Sequence, residues 1–389
     1  MREMKKLAIV TTHPIQYYAP VFKLLHERNR VSIKVFYTWG NAAINNYDPG
    51  FNKKITWDIP LLDGYPYEWV NNTSSNPGSH HFNGIVNPGL IEQLKTFEPD
   101  AVLFIGWSYS GHLKAIRYFK NKMPVWFRGD STLLDETSGV RSILKTIFLK
   151  WVYRHVDGAF YNGINNKVYF LRYGLKEKQL TFAPHAVDND RFAVEKTTDV
   201  ISLRESLGIA PTDVLILFAG KLEEKKDPEL LMDAFIALNE PKVHLLFVGS
   251  GAKEKTVKSK AASYTNVHFI DFQNQTYMPV LYQSCDLFCL PSKGPGETWG
   301  LAVNEAMACA KAILVSDKCG CAVDLVKNEE NGVIFKTGSL ADLVACLKRL
   351  TENKELLNNY GKASYQIIQP FNFLAIAEAI EKTFVHETN

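Results

Sequence analysis

Two glutamates eight residues apart, Glu297 and Glu305, lie in the segment of this 389-residue chain richest in candidate chemistry. They belong to the run Leu290-Pro-Ser-Lys-Gly-Pro-Gly-Glu-Thr-Trp-Gly-Leu301, in which a strand ends near Pro291, a Gly/Pro-rich loop follows, and a helix is expected to open near Leu301. Such a loop brings backbone close to a ligand, and a helix N-terminus presents unpaired N–H groups to an anion. Were all eight steps helical, the two carboxylates would stand about 12 Å apart along the axis. That separation suits contacts at two ends of an elongated, phosphate-centred ligand better than a tight carboxylate dyad. A second run, Phe218-Ala-Gly-Lys-Leu-Glu-Glu-Lys-Lys-Asp-Pro228, places Lys221 and Lys226 between a strand end and the proline that opens the next helix. Lysines in that position can neutralise a diphosphate. Taken singly, each run also reads as solvated surface.

Loops of this kind need rigid elements behind them. In the first half, short apolar runs at 6–12, 31–39, 101–106, 124–128, 158–162 and 180–184 predict strands, with helical periodicity at 21–27, 88–97, 111–122 and 140–155. The second half restarts the alternation. Strands are predicted at 214–220, 243–249, 267–271, 286–291, 312–316 and 332–335, and helices at 228–238, 277–284, 301–310, 340–350 and 354–368. Near-continuous apolar strands imply parallel sheets covered on both faces. The expected fold is therefore α/β: two Rossmann-like, doubly wound domains, residues 1–193 and 194–368, with strand carboxyl ends facing an interdomain cleft. The polar stretch 194–199 is the expected boundary. An amphipathic helix at 371–384 can pack on either domain, and a return to the first would add residues 369–389 to it. Residues 40–84, rich in Asn, Pro, Gly and Trp, read as an insertion or irregular hairpin.

The two runs, together with Pro184-His-Ala-Val-Asp-Asn-Asp-Arg-Phe192, resemble glycosyltransferase family 4, retaining nucleotide-sugar enzymes of the GT-B fold. The likeness covers about residues 180–350, with three motifs in the family's order. It implies an acceptor-side first domain and a nucleotide-sugar-binding second domain. It implies that Glu297 contacts the donor sugar, that backbone around Gly296, Thr298, Trp299, Gly300 and Leu301 holds sugar and diphosphate, and that Glu305 binds the ribose. Lys221, where the family more often has Arg, and Lys226 would stabilise the departing diphosphate, as fixed cations do for charge that develops in a transition state. The base would lie near Phe272 and Gln273. The resemblance further implies no metal and no cofactor beyond the nucleotide-sugar substrate. The acceptor would attack from the face the diphosphate leaves, so no carboxylate nucleophile is required.

The first half departs from that pattern. Where many members carry Gly-Gly after the first strand, this chain has Thr12-His13-Pro14-Ile15-Gln16-Tyr17, so His13, Gln16 or Tyr17 would reach the ligand with side chains. Arg128 and Asp130 follow a later strand and read either as catalytic residues facing the cleft or as a structural salt bridge. Trp107, Tyr109 and His112 follow another strand, where the aromatics could stack on a sugar or pack in the core. The segment 141–155 combines Arg141, Lys145 and Arg154 with Ile143, Ile147 and Trp151 at helical spacing. It reads as a helix lying on an anionic membrane or as one covering the sheet with a charged outer face.

Composition narrows the classes. With 46% apolar, 12% aromatic and 22% charged residues the chain can build large cores, which excludes a disordered or fibrous protein. A formal net charge of +3 argues against nucleic acid as the partner. That total hides an asymmetry: residues 1–193 carry 24 Lys and Arg against 16 Asp and Glu, and the remainder 20 against 25. A basic first half fits an anionic acceptor or membrane face, or simply a different surface. All six cysteines lie between Cys285 and Cys346 in apolar segments without zinc-like spacing, as in a reduced cytosolic protein, peripheral at the inner membrane face if the basic helix meets lipid. No apolar run approaches the roughly 20 residues of a membrane span, and the N-terminus lacks a signal-peptide pattern. The expected activity is metal-independent transfer of a sugar from a nucleoside diphosphate to a hydroxyl of a glycan or lipid-linked acceptor, in surface glycan or glycolipid assembly. The rivals are a nucleotide-sugar epimerase of the same fold and an inert GT-B scaffold subunit.

Overall fold

Apolar runs become buried strands in two parallel sheets. The computed structural model describes residues 4–40, 47–48 and 53–387. The first sheet contains β1 (Lys6–Thr11), β2 (Ser32–Tyr37), β3 (Tyr67–Trp69), β4 (Ala101–Ile105), β5 (Val125–Arg128), β6 (Gly158–Tyr161) and β7 (Leu180–Phe182). Their order is β3-β2-β1-β4-β5-β6-β7, parallel throughout. The second contains β8 (Val214–Ala219), β9 (Val243–Val248), β10 (Val267–Ile270), β11 (Leu287–Leu290), β12 (Ala312–Ser316) and β13 (Gly332–Phe335). Its order, β10-β9-β8-β11-β12-β13, repeats the Rossmann pattern, again all parallel. Every residue of β8 and β9 is buried, because helices cover both faces. Strand order reverses beside β1 in the first sheet and beside β8 in the second. Ligands bind at such switch points, outside the strands' carboxyl ends.

The chain divides into two units. The described residues of the first come from 4–40, 59–185 and 373–387; those of the second from 47–58 and 186–372. The chain thus changes unit at 185/186 rather than at 193/194. The polar stretch expected as a boundary leads into a helix, Thr197–Ser206, within the second unit. The irregular stretch 40–84, part of which lies outside the described residues, contributes β3 to the first sheet and a short antiparallel strand pair, Tyr47–Asp48 with Lys53–Lys54, to the second unit.

The last helix, Phe373–Glu387, belongs to the first unit, whereas residues 369–372 stay with the second. Its Ile376, Ala377, Ile380 and Phe384 are buried, and Phe384 meets Trp126 of β5 edge-on with ring centroids 5.7 Å apart. Glu381 on the same face is also buried and accepts bonds from Arg28 Nε at 2.8 Å and from its terminal nitrogen at 2.9 Å. Among the described residues, no helix is long and apolar enough to cross a membrane.

Candidate functional site

At the switch point of the second sheet, residues 220–227 follow β8 and residues 291–300 follow β11. Their side chains meet across the crevice. Lys226 Nζ donates to Glu297 Oε2 at 2.7 Å, and Ser292 Oγ donates to the same oxygen at 3.1 Å. Glu297 is 7% exposed. Burial alone would raise its carboxyl, but the charge and hydrogen bond of Lys226, with Lys225 and Ser292 behind them, outweigh it and hold Glu297 below the ordinary carboxylate value. It is therefore ionised at neutral pH. Lys221 opens the same loop and is half-buried. The two loops are also joined through backbone, Lys293 N donating to Lys225 O at 2.8 Å.

A third loop, after β12, braces the glutamate loop from below. Gly320 N donates to Glu297 O at 3.1 Å, and Cys321 N to Trp299 O at 2.9 Å. A Cβ on Gly320 would sit 1.8 Å from Thr298 O, so only glycine permits this approach. Gly300, with φ +101°, turns the chain into the helix Leu301–Ala308 in a conformation that L side chains rarely adopt. Glu305 lies in the helix's second turn, 4% exposed, and accepts a bond from Tyr282 Oη at 2.7 Å. Of the expected donor contacts here, Gly296 is exposed, Thr298 and Leu301 are half-buried, and Gly300 is buried at the turn. Trp299, of which only the backbone was expected at the ligand, keeps its side chain inward. Its indole is buried, donating Nε1–H to Asn304 Oδ1 at 2.8 Å.

Phe272 and Gln273 lie in the loop after β10. That loop is held from two distant parts of the chain. Arg191 donates to Gln275 Oε1 at 2.8 Å and also to its backbone oxygen. From the other side, Asn274 Nδ2 donates to Thr56 O at 2.7 Å, Thr276 bonds to Asp58, and Trp57 packs against Phe272 with centroids 6.4 Å apart. Sequence reasoning missed Trp57, Asp58, Tyr282 and Arg191 as supports; only Ser292 lay in plain view inside the glutamate run. The triplet Asp188-Asn189-Asp190 has the look of a metal-binding carboxylate pair, but Asp188 caps the helix Asn189–Ala193 by accepting from Arg191 N at 3.0 Å.

In the first unit, residues 12–18 follow β1 and residues 106–109 follow β4, flanking the other switch point. Gln16 and Tyr17 lie half-buried in the turn before the helix Ala19–Arg28. His13 bonds through Nδ1 to Thr12 Oγ1 at 2.8 Å, and burial pushes its imidazole down to about 4. His112 is no surface contact but a core histidine, 0% exposed. Gly106 O can only accept, so Nδ1 carries the proton there at 2.7 Å, leaving Nε2 to the Thr38 hydroxyl at 2.7 Å. Burial lowers its pKa to about 4, and it stays neutral.

Arg128 is 2% exposed, and its guanidinium donates to Ala183 O at 2.7 Å and Pro184 O at 2.8 Å. It holds the chain leaving β7. Asp130 is exposed after β5. Burial, ahead of Asp130's charge, holds the Tyr109 phenol above its ordinary value. Trp107 packs against the core and also, with Tyr109, lines a cavity.

Two parallel sheets of this order are those of the GT-B class, and solved structures of that class overlay nearly the whole chain. Anabaena HepE in complex with UDP and glucose matches with a TM-score of 0.74 at 19% identity, over 98% of this chain and 100% of that one. WaaG, a glycosyltransferase involved in lipopolysaccharide biosynthesis, matches with a TM-score of 0.68 at 14% identity, over 97% and 99%. At such identities the likeness is one of fold. Residues 199–367 match the family model for glycosyl transferases group 1. The chain is similar to D-inositol 3-phosphate glycosyltransferase of Geodermatophilus obscurus, 26% identical over 48% of this chain and 43% of the relative. It is also similar to the N,N'-diacetylbacillosaminyl-diphospho-undecaprenol alpha-1,3-N-acetylgalactosaminyltransferase of Campylobacter jejuni, 28% identical over 46% of each. The match spans about half the length of these curated relatives.

Proposed function

We propose that this chain is a retaining, family 4 glycosyltransferase that moves a sugar from a nucleoside diphosphate to a hydroxyl of a glycan or lipid-linked acceptor, in surface glycan or glycolipid assembly, without a bound metal. The observation that carries the reading is the Lys226–Glu297 pair across the second sheet's switch point. Both bonds to Glu297 fall on Oε2, which leaves Oε1 to accept from a sugar hydroxyl. Lys226 lies beside the position a diphosphate would take, and its fixed charge stabilises the negative charge that grows as the sugar–phosphate bond breaks. In this reading Glu305, whose carboxylate accepts from Tyr282, also accepts from the ribose hydroxyls. The matched segment, 199–367, contains all of these residues.

The mechanism asks little covalent work of the protein. The acceptor oxygen bonds to the anomeric carbon as the diphosphate leaves the same face, and the departing phosphate oxygen takes the acceptor proton. Calorimetric titration with nucleoside diphosphates, followed by assay of nucleoside diphosphate release from the bound sugar donor, tests the reading. Binding with slow release that stops in Glu297→Ala is expected. Conversion of free donor to an isomeric sugar would establish the epimerase instead, and no binding of any nucleoside diphosphate would overturn both.

A further inference from the structure

The helix Val140–Tyr153 buries Leu149, Val152 and Tyr153 in the first unit's core. Its opposite face is apolar yet uncovered. Val140, Ile143, Leu144, Ile147 and Phe148 follow helical spacing and are 73%, 61%, 62%, 63% and 43% exposed. A stripe of this kind on a protein surface marks an interaction site. Around it the helix and its C-cap carry Arg141, Lys145, Lys150 and Arg154, with no acidic residue in the helix. From neighbouring elements, Glu136 pairs with Lys145, and Arg117 lies over the Trp151 ring at 5.2 Å.

The stripe runs into a cavity of about 550 Å³. Phe148 belongs to both. Trp107, Tyr109, Leu113 and Trp151 form further walls, with residues 79–82 opposite. The rings of Trp107 and Trp151 each lie 5.7 Å from that of Phe148. Trp107 and Tyr109 follow β4 directly, so the cavity opens at the end of the sheet where α/β folds take ligands.

We propose that this face is a lipid site: the stripe lies in the headgroup–acyl boundary of an anionic bilayer, and the cavity admits the hydrocarbon chain of a lipid-linked acceptor. The acceptor clause rests on the transferase reading; the lipid contact does not. Apolar residues on a helix whose own charges are all cations, with Glu136 offsetting Lys145, match a lipid surface, whose phosphates neutralise the remaining cations. A second copy docked on the same face would set cation against cation, with no carboxylate from either helix to relieve them.

The test uses the full chain and vesicles of phosphatidylcholine, with and without phosphatidylglycerol, in a flotation assay. Wild type is expected to float with the anionic vesicles, and the Ile143→Asp/Ile147→Asp variant to lose about tenfold or more of that partitioning. Arg141→Gln and Lys150→Gln should each cost about fivefold with anionic vesicles and little with neutral ones. All four positions are exposed, and an unchanged melting temperature shows that the fold survives. Wild type failing to float overturns the proposal. So does a dimer that dissociates in the double aspartate variant, which would assign the face to a second copy. The cavity is probed by tryptophan fluorescence with monomeric dodecyl glucoside, expected to bind wild type and to bind Leu113→Phe at least several-fold more weakly. No binding, or equal binding by both, removes the cavity from the proposal. Neither readout requires donor binding, so failure here and failure of the transferase reading are separable.

Discussion

Replacing Lys226 with Met strands a carboxylate. Glu297 is 7% exposed and would keep the Ser292 hydroxyl at 3.1 Å, with the Lys225 charge farther off. Removing one partner of a buried ion pair costs roughly 3 kcal/mol or more, because the other charge remains in a poorly solvated site. For a unit the size of residues 186–372, each kcal/mol moves the melting temperature by roughly 2–4 °C, so a fall of roughly 6–12 °C is expected at neutral pH. The deficit should depend on pH in a defined direction. In the wild type the depressed Glu297 carboxyl contributes stability that is present above its unfolded value of 4.5 and lost as pH falls through its lower folded value. In Lys226→Met burial is opposed far less, the carboxyl rises, and the variant sheds its penalty by protonating. The two proteins should therefore converge as pH approaches about 4.5. Differential scanning calorimetry of wild type, Lys226→Met, Glu297→Gln and the double variant closes the cycle. The double variant should recover most of the loss. A Lys226→Met melting temperature within about 2 °C of wild type at neutral pH, or strictly additive effects, would refute the buried-pair argument.

Other expectations concern the loops and the first unit. His112, with its folded pKa lowered to about 4 from an ordinary 6.5, contributes stability that is full above 6.5 and lost as pH falls towards 4, about 3 kcal/mol in all; His112→Gln should reduce the slope of the urea midpoint across that window, leaving the parts due to His13, His185, His244 and His268, which burial also lowers. Gly320→Ala must displace the Thr298 carbonyl, and turnover should fall roughly a hundredfold with far-ultraviolet circular dichroism unchanged. Phe384→Ala empties a buried site against Trp126 and should cost roughly 3–5 kcal/mol, seen as faster proteolysis of the last helix.

The parts of this fold that announce themselves in sequence are those whose local pattern has one solution. Strands such as Val214–Ala219 are apolar at every position because both faces are covered, and their limits can be read to within a residue or two. Glu297 and Lys226 stand out because glycines mark the strand ends beside them. The helix Glu254–Ala261 escaped notice because Val257 and Ala261 are its only buried residues, too few to set a period. β3 is three residues long and has no fully buried residue, Tyr67 being exposed and Glu68 and Trp69 half-buried, so it shows no strand period. Thr276 and Asp58 are 218 residues apart, and Gln275 and Arg191 are 84 apart; no local pattern encodes such pairings. The helix Val140–Tyr153 shows a different limit. Its periodicity reveals an apolar face, but not whether protein covers that face.

The return of the last helix to the first unit orders events during synthesis. The seven strands of the first sheet have all been made once residue 182 is added, yet the helix that seats Phe384 on Trp126 and Glu381 on Arg28 begins at Phe373. At roughly 5–20 residues per second, the intervening stretch of about 190 residues occupies the ribosome for roughly 10–40 s. Through that interval the nascent first unit presents an uncovered apolar groove with an arginine at its rim, while the second unit emerges and can fold as one nearly continuous segment. The order of completion is then the reverse of the order of translation.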